Sequence, residues 1–419
     1  MTSRSAAWAF VVSVAFCAIP ASAVDLYANP RYVNSLQQVP NGRGGLIDAS
    51  EIRTEGDISA SGVEEKGFGL RTLRAEYALV GSYVAVPYGD WNDSISTRIA
   101  EATLDFDPLP SLLLVAGKKR EKMGSGFFRR PTDIFLPNPD DLRNQSGDVA
   151  DRTRDGLTGA GMQWTHSLGT ISGFYSPRME WRDSGAVGRY LLVPQRLDQW
   201  LVKSTSKIGE FDLDLLARIA RGSRLPLQEN LGASLVTSVG NTQIHAEALL
   251  SARATRLLAP QAPEGSVVTD VLSPSVTAIG GFSHSFDEHW TLIGEYYRNG
   301  SGLSHSDLSR ATKYVSDSWR AGKVKQAQAF SDSYGSLDMG THYGMGRVAY
   351  ADGETLLCEV LSIVSLEDHS GYAQAAATYG PSGWLKLHGE FGAFFGPTES
   401  EGAVNVERWR SMVGLEIFY

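Results

Sequence analysis

Cysteine is almost missing from these 419 residues: Cys17 and Cys358 are the two present. Cys17 sits in an N-terminal apolar stretch, so a chain that loses the stretch keeps one thiol and forms no internal disulfide. Its fold must then be held by backbone pairing and packing. Long apolar runs are missing too. Beyond residue 23 no stretch approaches the roughly 18 consecutive apolar residues of a membrane-spanning helix, which excludes a bundle of such helices. Basic charge is in deficit, with 38 Lys and Arg against 47 Asp and Glu and a net charge of −9. No basic stripe interleaves with aromatics, so nucleic acid is not an expected partner. Metal-ligand spacing is lacking as well: Asp140, Asp141, Asp148, Asp151 and Asp155 cluster without the spacing of a calcium loop, and neither metal nor cofactor is expected.

What the chain does have is 44 glycines, 10% aromatics and many short segments of alternating polarity. A strand that crosses a membrane needs apolar residues only at every second position, so a membrane barrel escapes hydropathy in this way. The N-terminus points to export. Arg4 precedes an apolar run over 6–18, followed by Pro20 and the small triplet Ala21-Ser22-Ala23, the pattern of a secretory signal peptide cleaved after Ala23. Phe16 stands before Cys17 where a lipoprotein signal needs a small residue, so no lipid anchor is expected. Residues 1–23 are therefore read as the signal and 24–419 as a single domain.

Alternation and the Gly, Asp, Asn and Pro clusters between segments predict strands over 26–34, 46–58, 68–84, 95–106, 112–122, 157–165, 170–177, 197–205 and 211–221. They continue over 231–239, 242–253, 276–286, 290–298, 338–350, 355–364, 370–379, 384–395 and 405–419. Tight turns follow the fourth, sixth and later even-numbered strands, while most of the intervening connections are longer, notably about 119–156 and 299–336. Short and long connections thus fall at opposite ends of the strands, as in outer-membrane barrels. An even count also brings both chain ends to one rim, as closure requires. The expected fold is all-β: a closed antiparallel transmembrane β-barrel of about 18 strands, or 16 if the segments before Phe68 form a periplasmic arm or plug. Trp164, Trp200, Phe211, Trp290, Trp384, Phe394 and Trp409 lie near predicted strand ends, where interfacial girdles place aromatics.

The last strand separates its faces by parity. Val413, Leu415, Ile417 and Tyr419 share one side, and Arg408, Arg410, Gly414 and Glu416 the other. A terminal strand that alternates in this way and stops on an aromatic resembles the C-terminal signal of Gram-negative outer-membrane β-barrels. The resemblance implies the outer membrane as location, with its lipid bilayer and lipopolysaccharide as surroundings. It also implies the barrel-assembly machinery as a partner that reads this strand.

A barrel this wide leaves an aqueous lumen, so function would lie in what narrows it. The segment around 118–155 is the candidate constriction, with Arg129, Arg130 and Arg143 beside Asp133, Asp140 and Asp141, because opposed charges orient polar solutes in a pore. Gly124-Ser125-Gly126 and Pro131-Thr132-Asp133 look like the loop after an early strand in several porin-like families. Parity turns Arg74, Glu76, Glu101, Arg218, Glu247, Arg253, Arg408, Arg410 and Glu416 toward the lumen. In the second long connection, 317–330 is expected to form a short helix packed over the mouth or dipping into it. The expected function is a porin-like channel for passive or substrate-selective diffusion of small hydrophilic solutes. A conduit for polysaccharide export would use the same architecture. A barrel hydrolase is a third reading, but the His-Ser pairs beginning at His166, His284, His305 and His369 match no barrel-hydrolase motif, so an enzyme is not expected.

Overall fold

The structure is a computed structural model. It describes residues 24–40, 46–68, 71–85, 94–119, 123–133, 156–178, 197–222, 227–260, 266–272, 274–321, 323, 327, 330, 338–353, 355–397, 400–402 and 407–418. The expected signal peptide lies outside them. The first strands are β1 (Val24–Pro40), β2 (Leu46–Phe68), β3 (Arg71–Ala85), β4 (Ser94–Leu109), β5 (Leu112–Lys119), β6 (Leu157–His166) and β7 (Gly169–Ser176). Then come β8 (Leu197–Ile208), β9 (Phe211–Gly222), β10 (Gln228–Val239), β11 (Thr242–Ser251), β12 (Ala254–Leu258), β13 (Val268–Leu272), β14 (Ser275–Ser285) and β15 (Trp290–Arg298). Helix α1 (His305–Arg320) precedes β16 (His342–Asp352), β17 (Leu356–Ser365), β18 (Gly371–Ser382), β19 (Leu385–Phe395) and β20 (Glu407–Phe418).

All strands except β12 and β13 belong to one 18-stranded sheet. Each pairs antiparallel with the next in this set. The ring closes where Arg31 of β1 faces Gly414 of β20 and Val33 faces Met412. Closure leaves no open edge, so every strand finds backbone partners on both sides, as a lipid environment demands. The 16-strand alternative falls, because β1 and β2 are members of the wall rather than an arm or plug.

Tight hairpins gather at the rim that also receives both ends of the barrel chain. At Gly209, Gly240 and Gly353 the backbone takes φ values of +63°, +58° and +54°, a left-handed conformation that costs a side-chain-bearing residue energy. The longer connections lie at the other rim. There β12 and β13 form a separate hairpin that the alternation of the sequence does not announce. The helix is also displaced from expectation: α1 begins at His305 and ends at Arg320, although residues 327 and 330 are helical as well. Ser304 caps it, its Oγ accepting from the Asp307 amide, with Arg320 in the last turn. Its apolar side buries Leu308, Ala311, Val315 and Trp319 with Leu303 and Met339, and Leu257 and Leu258 of the hairpin pack against this cluster. Hairpin and helix thus form a cap with an apolar core of its own.

The wall has two chemically distinct faces. On β20, Val413 is 66% exposed while Met412 is 4% exposed, and Leu415 and Ile417 share the exposed side. Trp164, Trp200, Phe211, Trp290 and Trp384 are likewise on the outside. Phe394 departs from that group: it packs inward against Tyr372 and its neighbours. An outer surface this apolar has its natural solvent in lipid, which makes the ring a transmembrane barrel.

Candidate functional site

The inner wall is less polar than parity suggests. One apolar cluster joins Ile279, Ile293, Tyr297, Tyr343, Met345, Leu361, Ile363 and Tyr372, and Phe128 covers it. A second joins Leu157, Phe174, Leu201, Leu216 and Leu249, and Met123 covers it. Both covering residues come from the segment after β5, so 123–133 lies inside the ring against β6–β18. Burying a side chain such as Phe128 contributes about 1.5–3 kcal/mol. This term alone favours the segment on the wall over one in water.

Two carboxylates set its position. Glu247 of β11 accepts from the amides of Ser125 and of Gly126 (2.6 Å), and from the Thr132 hydroxyl (2.9 Å) and amide (3.4 Å). Glu295 of β15 accepts from the Phe127 amide (2.6 Å) and the Phe128 amide (2.9 Å). Successive amides turned onto one anion form a nest, and bonds to an ionised acceptor are about twice as strong as neutral ones. The nest depends on Gly124, whose φ of +84° turns the chain and whose missing Cβ would sit 2.5 Å from Glu247 Oε2. His245 of β11 supports Glu295 from the side at 2.8 Å.

The candidate constriction residues take different places around this seat. Arg129 is 3% exposed and its guanidinium carbon lies 5.9 Å from the centre of the Tyr297 ring. Arg130 Nε donates to Gly126 O (2.8 Å), closing the segment on itself, and the Asp133 amide donates to Arg130 O (2.9 Å). Phe127 lies under Arg347 of β16 at 4.8 Å, and Arg347 Nε donates to Glu359 of β17 (2.8 Å). Asp140, Asp141 and Arg143 lie outside the described residues.

Along the wall, Arg74 pairs with Glu76 on β3, and the register sets Arg74 beside Asp105 and Ala78 beside Glu101 on β4. Arg218 donates through Nε to Gln199 (2.9 Å) and through Nη1 to Asn230 (3.4 Å). On β20, Arg410 is buried, with Nη2 3.6 Å from Met412 Sδ, while Arg408 and Glu416 are half-buried and Glu416 faces Lys386 of β19. Arg253 does not stand on the wall: β11 ends at Ser251, and Arg253 is exposed in the bend before β12. Glu295, His245 and Phe128 are the residues whose part the sequence leaves unmarked. Parity turns Glu295 inward, but nothing local says that it meets residues 127 and 128.

No family model matches the chain, and no curated protein matches it. Among solved structures it is similar to OmpF of Salmonella typhi in complex with daunomycin, at 9% identity over 94% of this chain and 97% of that one, with a TM-score of 0.48. A triple mutant of Rhodopseudomonas blastica porin is similar at 13% identity over 94% of this chain and 100% of that one, with a TM-score of 0.43. The chain's own geometry gives its fold: a closed ring of 18 antiparallel strands with an apolar outer surface, the architecture of a transmembrane β-barrel.

Proposed function

We propose that the protein is an outer-membrane diffusion channel for small hydrophilic solutes, narrowed by the segment at 123–133. One observation carries the reading: this segment is seated inside the ring by Glu247 and Glu295 rather than folded back over the rim. Rings of about 16–18 strands are too wide for their own side chains to fill, so an aqueous passage is left beside an inserted segment. The segment lies against β6–β18, which leaves the passage along the remaining wall, where Arg74, Glu76, Glu101, Arg408 and Glu416 stand. Arg129 braces the segment against Tyr297, and Arg130 holds its turn; with Asp133 they determine how far it projects. Asp140, Asp141 and Arg143 belong to the same connection in sequence and lie outside the described residues.

Planar-bilayer recording on the purified full chain tests this. Stable single-channel conductance that changes in size or ion selectivity in Arg130→Ala supports a diffusion channel with a constriction at this segment. A barrel that inserts yet conducts no ions overturns it. Conductance blocked by long polysaccharide chains and not by small sugars would instead favour a polysaccharide conduit.

A further inference from the structure

At the long-connection rim a cavity of about 260 Å³ opens between the β12–β13 hairpin and the connection from β15 to β16. Thr255, Arg256, Leu257, Thr269, Asn299, Ser301 and Asp338 line it. The cap supplies a firm floor, because Leu257 also packs against the α1 cluster. We propose that this cavity binds one neutral sugar ring.

Three features define that class. The volume is below the roughly 300–1,000 Å³ of sites for drug-sized ligands, which suits a single ring rather than an oligosaccharide. The lining offers donors and acceptors together, as hydroxyls require, while Leu257 provides apolar surface for the C–H side of a ring. The charge is balanced against ions: Arg256 Nε is engaged by Asp270 Oδ2 (3.0 Å) and Nη1 by Gly302 O (3.2 Å), two of its five N–H groups, and Asp338 lines the same cavity. An anion would meet Asp338, and a cation would meet Arg256.

The polar groups are also held before a ligand arrives. Asn299 is 4% exposed, and its Nδ2 donates to Asp338 O (2.8 Å) and Oδ1 (3.1 Å). Its Oδ1 accepts from the Ser301 amide (3.0 Å) and Oγ (2.9 Å). Ser301 and Asp338 are therefore oriented by one buried amide, which lowers the ordering cost of binding. The cavity stands apart from the proposed constriction, so the inference does not need the channel reading to be right.

The test uses the detergent-solubilised full chain and titration calorimetry with saturation-transfer NMR. The probes are glucose, glucosamine, glucuronate and a lipopolysaccharide core oligosaccharide. Saturable binding of glucose ahead of both charged sugars is expected. Binding of the core oligosaccharide alone, with none of glucose, would overturn the single neutral ring. Asp338→Asn should weaken binding about tenfold, the scale of losing one hydrogen bond to a charged acceptor. Ser301→Ala, a smaller change, should weaken it in the same direction, with bilayer conductance unchanged in both. No saturable binding by a folded protein, tighter binding of a charged sugar, or binding indifferent to both substitutions would overturn the proposal.

Discussion

His245 on β11 reaches Glu295 on β15 at 2.8 Å, although β14 runs between them. The contact exists because the residue of β14 in line with both is Gly281: the register pairs His245 with Gly281 and Gly281 with Glu295. A Cβ there would stand 2.5 Å from Gly294 O and 2.6 Å from Glu295 Cγ. A missing side chain thus lets two inward-facing groups from non-adjacent strands meet and hold the inner segment.

Gly281→Ala should therefore displace Glu295 and lower stability by about 1–3 kcal/mol, the usual cost of overpacking a filled interior. Thermal unfolding in detergent, followed by tryptophan fluorescence, reads this. A midpoint equal to that of the unaltered protein would show that the wall absorbs the methyl group.

Glu295→Gln and Glu247→Gln should each loosen the inner segment. Glutamine retains one carbonyl acceptor but turns an NH₂ toward amides that also donate, so each replacement costs about 1.5–3 kcal/mol of segment docking. Single-channel records should show larger current fluctuations in both variants, and protease added to the protein should cut within 123–133 sooner. Identical noise and cleavage would mean that the apolar seats of Met123 and Phe128 suffice.

Glu401, at the long-connection rim, gives the loops a pH dependence of definite sign. It is 1% exposed and accepts from the Met339 amide (2.7 Å) and the Tyr343 hydroxyl (2.8 Å), while its own amide donates to Asp368 (2.7 Å). Burial, with the nearby Asp368 and Asp338 carboxylates adding to it, raises its pKa from 4.5 to about 7 against the two donors. A pKa raised on folding means that the docked state binds the proton more tightly. The stabilisation is complete below about 4.5 and is lost as pH rises through about 7, a change on the order of 3 kcal/mol. The unfolding midpoint should fall between pH 5 and pH 8, and Glu401→Gln, which keeps the shape and removes the titration, should flatten that dependence. A Gln variant as pH-dependent as the parent would place the effect elsewhere.

Val413→Arg should hinder assembly, since Val413 is among the most exposed apolar residues of β20 and a basic side chain on the lipid side costs about 2–4 kcal/mol at mid-membrane depth. The yield of folded barrel, scored by heat-dependent mobility on gels, should fall. Arg408→Ala, on the opposite face of the same strand, should leave the yield unchanged. Equal yields would reverse the assignment of the two faces.

The amino-acid sequence by itself determined most of the strands and most of their facing, while closure of the ring decided that the first two belong to the wall and that the count is 18. Alternation and turn chemistry act between residues close along the chain, so Val413 against Arg410, or Gly240-Asn241 between β10 and β11, is legible without a structure. The second hairpin escaped because β12 and β13 are short; α1 did announce itself, since Leu308, Ala311, Val315 and Trp319 recur at helical spacing, and the expected helix at 317–330 began about a dozen residues too late. What the tertiary structure alone decided is where the inner segment rests. Glu247 and Glu295 look like ordinary lumen charges until closure of the ring brings Ser125 and Phe127, more than a hundred residues away in sequence, against them. The inward Ile279, Tyr297 and Met345 look misplaced in a water-filled pore until Phe128 covers them. Such contacts depend on the summed registers of many strands, and no local pattern records that sum.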